Sequence, residues 1–201
     1  KYFSKFVPEL KLVQRKHPPI KLTHLAKLTD SFGIIQFAKL TEPDLSSGYT
    51  LDDNARALIV ATLHYKKFGT PTSLKFVSRY LNFLSQVAKP DGYFDNYVNL
   101  NHTIDKQRNI QENSEDPSAR ALYALALVST TTQIPKHFRK QAHLLFEQSF
   151  QKNIAFSSPR AIAFYIKALH YLLSKWKEPK VLATLRYYCE QLIALYEKSH
   201  S

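Results

Sequence analysis

From about residue 50 onward, apolar residues recur every three to four positions in six blocks separated by proline, glycine or short polar runs. That spacing is the signature of α-helices presenting one face to a core. The first block carries Ala55, Leu58, Ile59, Ala61, Thr62 and Leu63; it predicts a helix capped by Asp52 and stopped near Phe68 by Gly69. The second begins after Pro71 and uses Leu74, Phe76, Val77, Tyr80, Leu81, Leu84 and Val87. In the third, Asp116 stands as N-cap and Pro117 at the first helical position, with Ala119, Leu122, Tyr123, Leu125 and Ala126 leading to about Ser129. A fourth runs from Pro135 to about Lys152, a fifth starts at Ser158-Pro159, and a sixth follows Pro179 to about Lys198.

The blocks alternate in character. The first, third and fifth are rich in small residues and read as apolar nearly all round, whereas the second, fourth and sixth carry Lys, Arg, Gln and Glu on one face. An inner row of buried helices wrapped by an outer row satisfies both patterns. The expectation is an all-α fold of about three helical hairpins, half of an (α/α)6 ring or an open array with similar packing. Ahead of it, Leu22, Leu25 and Leu28 form a short helical face, Gly33 to Ala38 is β-prone, and Pro43 to Gly48 is a loop. The long interval from Ala88 to Asn113 contains Gly92 to Val98, a candidate strand or lip beside the ends of the inner helices.

Composition narrows the possibilities. Four glycines among 201 residues favour long helices over many turns, and no run of eighteen uncharged apolar residues is present to span a membrane. The single cysteine, Cys189, excludes an internal disulfide framework and suits a reducing, cytoplasmic setting. The chain begins with lysine and has no methionine, which reads as a piece of a longer protein. Half of the net charge of +12 falls in residues 1–28, where seven Lys and Arg face one acid, Glu9. A basic arm over residues 1–19 explains that charge better than a nucleic-acid site, and residues 20–201 form the helical domain. No zinc pattern, phosphate loop or serine-hydrolase elbow occurs, so neither metal nor cofactor is expected.

The chemistry lies where the inner helices begin. Tyr49 to Leu58 and Ser114 to Leu122 repeat one theme: paired acids, then an arginine four residues after Asp52 or Asp116. A third copy, Ser158-Pro159-Arg160-Ala161, keeps the arginine without an acid. Adjacent carboxylates resist double ionisation, so Asp52-Asp53 and Glu115-Asp116 each offer a low and a high pKa, as glycosidic acid–base cleavage requires. Since one cap per helix suffices, Asp52 and Asp116 read as caps and stand as the alternative catalytic acids, which leaves Asp53 and Glu115 as the leading catalytic candidates. Arg56, Arg120 and Arg160 read as buried ion-pair partners or sugar ligands. Tyr49, Asn54, Tyr93 and Asn96 complete the candidate saccharide contacts.

These motifs resemble a known family. His24 to Asp30, Gly33-Ile34-Ile35-Gln36, the GYxxDDNARAL element ending at Leu58, Ser114-Glu115-Asp116 with Arg120 to Leu125, and Ser158 to Phe164 look like a bacterial carbohydrate-active module. That module is often fused to, or encoded beside, family-4-type glycosyltransferases, and the resemblance covers about residues 20–175. It implies a toroid of the six-hairpin glycosidase type, a sugar or polysaccharide ligand, and possible association with a glycosyltransferase. The reaction would be acid–base chemistry on glycosidic bonds; the alternative is a non-catalytic glycan-binding or docking module. Two departures stand out: Phe37 occupies a position where the family pattern leads one to expect histidine, and Pro117-Ser118-Ala119 replaces its usual run before Arg120.

Overall fold

The computed structural model describes residues 18–200, so most of the basic arm expected over 1–19 lies outside the described residues. A short helix, α1 (Thr23–Lys27), leads in. A two-residue hairpin of β1 (Ala38–Lys39) and β2 (Glu42–Pro43) follows, then a 3₁₀ turn over Leu45–Ser47. The strand expected over Gly33 to Ala38 is reduced to bridges at Ile34 and Ile35, with only Ala38 in a named strand. Next come β3 (Tyr49–Thr50), α2 (Leu51–Phe68), α3 (Pro71–Gln86), β4 (Tyr97–Val98) and α4 (Lys106–Gln111). The chain continues through α5 (Glu115–Thr130), α6 (Lys136–Gln151), α7 (Pro159–Lys175) and α8 (Pro179–His200).

All six long helices stand where the apolar spacing puts them. Their stops follow local chemistry: Gly69 closes α2 in a left-handed conformation, and Pro71, Pro159 and Pro179 sit in the first turns of α3, α7 and α8. The long interval is ordered by β4, which pairs antiparallel with β3, Thr50 opposite Tyr97. It also holds α4, a helix too short to leave a periodic trace. Gly48 makes the approach to β3 possible, since a Cβ there would lie 2.5 Å from the carbonyl oxygen of Val98.

The helices form two layers. α2, α5 and α7 lie side by side, with α3 behind α2, α6 behind α5 and α8 behind α7. α5 is the keystone: every residue from Pro117 to Ser129 is buried, because neighbours cover both flanks and the back. Leu122 and Leu125, fully buried there, each contribute about 1.5–3 kcal/mol. α2 and α7 depart from the expectation of all-round burial. Each has a helix of this layer on one side only, which leaves Arg56, Val60 and Leu63 exposed on α2 and Ala163, Lys167 and His170 exposed on α7. Trp176 packs on His143, ring centres 4.6 Å apart.

Candidate functional site

The inner helices all begin at one end, and their first turns assemble a single polar network. At α2 the N-cap is Thr50. Its hydroxyl oxygen accepts from the Asp53 amide at 3.2 Å while donating to the Asp53 carboxylate at 2.6 Å. This is one half of a capping box, with Asp53 as the third helical residue and its carboxylate returning to the Thr50 hydroxyl instead of the Thr50 N–H. The expected roles are therefore exchanged: Asp53, the presumed surplus acid, serves the helix start, and Asp52, the presumed cap, is free to reach elsewhere. Asp52 Oδ2 pairs with Arg56 Nη2 at 2.8 Å, and Oδ1 pairs with Arg120 Nη1 from α5.

A similar exchange occurs at α5. Ser114 holds the N-cap position without a side-chain bond, so Asp116 lies inside the helix rather than capping it. Glu115 reaches across to α7 and accepts from the amides of Ser157 and Ser158 at 2.7 and 2.9 Å. It thereby caps α7 from a neighbouring helix, a favourable place for a carboxylate. Burial acts to raise its pKa, but those amides, with Ser157 Oγ and Asn113, hold it below the ordinary value. The high-pKa member expected of the Glu115-Asp116 pair is not Glu115. Ser158 donates its hydroxyl to Asp116 Oδ1 at 2.7 Å instead of capping its own helix, and Asp116 Oδ2 lies 3.2 Å from Arg160 Nε.

The arginines also separate. Only Arg120 is buried, its side chain 7% exposed, whereas Arg56 and Arg160 keep 58% and 71%. Burial and then the nearby Arg160 pull the Arg120 guanidinium below its ordinary pKa. Asp52 joins α2 to α5, and Asp116 joins α5 to α7, so one charged network laces the inner layer.

These groups surround an open cleft of about 260 Å³. Asp52, Asp53, Asp116, all three arginines and Asn96 line it, whereas Glu115, Tyr49, Asn54 and Tyr93 do not. Tyr49 is buried and donates its hydroxyl to Asp30, which also accepts from the amides of Phe32 and Gly33. Asn54 is fully buried and spends its amide on backbone: Oδ1 accepts from Ile34 N–H, and Nδ2 donates to the Thr50 carbonyl. Tyr93 bonds the backbone of Ala155 through its hydroxyl. Asn96 sits at the cleft with Oδ1 accepting from the Asp52 amide at 3.2 Å.

Two lining residues carry signals that the sequence reading missed. Glu112 comes from the turn after α4, is exposed, and accepts the Tyr97 hydroxyl. Among the described residues, no lysine or arginine forms an ion pair with it. It lacks the helix-start spacing that marked the other acids; only the β3–β4 pairing brings it to the rim. Gln36 contributes a buried Oε1 that has no hydrogen-bond partner among the described residues. Among the described residues, no group of three His, Cys, Asp or Glu is arranged to hold a metal ion, and no helix is long and apolar enough to cross a membrane.

No family model matches the chain, and no curated protein matches its sequence. Its structure is similar to that of cellobiose 2-epimerase from Spirochaeta thermophila DSM 6192, with a TM-score of 0.60 and 17% sequence identity. The match covers 84% of this chain and 48% of the other, so the chain spans about half the length of the structure it resembles. The likeness is one of fold, and it identifies the two helical layers as part of an (α/α)6 toroid.

Proposed function

We propose that this chain is a carbohydrate-active, glycosidase-like module that binds a saccharide in the cleft at the N-terminal ends of α2, α5 and α7. The observation that carries the reading is the convergence of Asp52, Asp116, Arg56, Arg160 and Asn96 on that one cleft, beside the unpartnered Gln36 oxygen. Carboxylates and guanidinium groups held by ion pairs present acceptors and donors in fixed directions, as recognition of vicinal hydroxyls requires. The toroid likeness to an enzyme named for a disaccharide supports the same ligand class.

For acid–base work on a glycosidic bond, Glu112, a cleft-lining carboxyl without an ion pair among the described residues, is the proton-transferring group, and Asp52 its ion-paired counterpart. Asp53 and Glu115 belong to helix capping in this reading. A second reading, a glycan-binding or docking module serving a glycosyltransferase, draws on that commitment: Asp53 and Glu115, the acids the sequence offers for proton transfer, are engaged at helix starts. Turnover of oligosaccharide panels by the protein and by Glu112→Gln and Asp52→Asn separates the two. Loss of turnover with binding retained in Glu112→Gln supports catalysis. Binding with no turnover by the unmodified protein leaves the binding module, and absence of saccharide binding refutes both.

A further inference from the structure

Beyond the polar cleft, the inner layer carries a second hollow of different character. It measures about 320 Å³ and is lined by Arg56, Ile59, Val60, Arg120 and Phe164. Arg56 and Arg120 line both spaces, so the two are neighbours. Phe164 supplies an aromatic wall: Arg120 Cζ lies 4.5 Å from its ring centre, and Tyr123 stacks beside it at 6.4 Å. Lys167 extends over this aromatic pair, its Nζ 4.2 Å from the Tyr123 ring centre and 5.8 Å from that of Phe164.

The charge here is one-sided. Among the described residues no carboxylate lines the second hollow, and its two arginines share the carboxylate of Asp52. Among the described residues, Lys167 makes no ion pair; its recorded partners are rings. An apolar, aromatic wall with exposed positive charge at its edge fits a sugar ring that carries an anionic group: the ring's C–H face packs on Phe164 and Val60, and the anion meets the exposed Arg56 and Lys167.

We propose that this hollow is a second subsite, holding the sugar unit adjacent to the one in the polar cleft, and that the unit it prefers bears a carboxylate or a phosphate. The inference rests on the saccharide reading of the cleft and adds the substrate class: an acidic oligosaccharide spanning two units.

Isothermal titration calorimetry tests it with a glucuronate-bearing disaccharide, a phosphorylated disaccharide, their neutral counterpart, the neutral monosaccharide and inorganic phosphate. At low salt an anionic disaccharide should bind about tenfold more tightly than the neutral one, and the advantage should shrink as ionic strength rises. The glucuronate and phosphate arms show which anion is preferred. Lys167→Gln, an exposed substitution, should remove several-fold of that advantage while leaving the neutral monosaccharide unaffected. Phe164→Ala should weaken disaccharides roughly threefold to tenfold and spare the monosaccharide, with its fold checked by thermal unfolding. Equal affinity for neutral and anionic disaccharides, or indifference to Lys167→Gln, overturns the subsite while the cleft reading stands. Inorganic phosphate binding as tightly as the phosphorylated disaccharide overturns the two-unit assignment. Failure of every saccharide to bind overturns the cleft reading as well.

Discussion

Asp52→Asn is the most informative single substitution. The wild-type carboxylate neutralises Arg120, whose side chain is 7% exposed, and also meets Arg56, which is 58% exposed. Asparagine keeps the shape and removes the charge. Breaking a fully buried pair from one side costs about 3–5 kcal/mol, because the remaining charge is left uncompensated. Asp52 itself retains 23% exposure. Water can therefore reach part of the site, and the expected loss is about 2–3 kcal/mol. For a chain of this size each kcal/mol lowers the unfolding midpoint by about 2–4 °C, which gives a fall of roughly 4–12 °C. Differential scanning calorimetry measures it directly. Arg56→Gln is the internal control, expected to cost no more than about 0.5 kcal/mol, since its pair is solvent-screened. A double-mutant cycle between Asp52→Asn and Arg120→Met should show coupling above about 1 kcal/mol. Matching small losses for Asp52→Asn and Arg56→Gln, with no coupling to Arg120, would refute the view that Asp52 is the charged link between α2 and α5.

Glu115→Gln should cost about 1 kcal/mol by weakening the cap on α7, read as a shift in urea midpoint. Because the folded-state pKa of Glu115 lies below its ordinary value, its contribution is present above the unfolded pKa and lost as pH falls through the folded one; the gap between wild type and variant should therefore close on acidification below about 4.5. Gly33→Ala would place a Cβ 2.6 Å from Asn54 Oδ1 and 3.1 Å from Phe83 Cδ2, and the resulting shift should break the Asn54–Ile34 bond. Destabilisation of about 2 kcal/mol or more, with faster hydrogen exchange at Ile34, is the expected outcome. Glu112→Gln should leave the unfolding free energy within about 0.5 kcal/mol of wild type, as suits an exposed side chain, while abolishing any glycosidic turnover.

The apolar spacing of the chain was sufficient to place six long helices and their stops, because a repeat of 3.6 residues and the proline and glycine punctuation are local properties. It also located the end of the fold where acids and arginines gather, since a copy of the repeated motif falls at the N-terminal end of each inner helix. Which acid does what was beyond its reach. Asp52 and Asp53 are adjacent in the chain, and so are Glu115 and Asp116, but each residue turns to a partner fixed by another element: Thr50 at the β3 end, Arg120 on α5, the amides just before α7, Arg160 in the first turn of α7. Likewise, Arg56, Arg120 and Arg160 occupy equivalent places in three copies of one motif, yet only Arg120 is buried, because α5 alone has neighbours on both flanks. Glu112 and Gln36 carry no helical signature at all and reach the cleft only through the folded lead-in and the β3–β4 pairing. Local periodicity determined the helices; the partners of each charge were decided by packing, since burial and hydrogen bonding depend on what lies across the gap rather than along the chain.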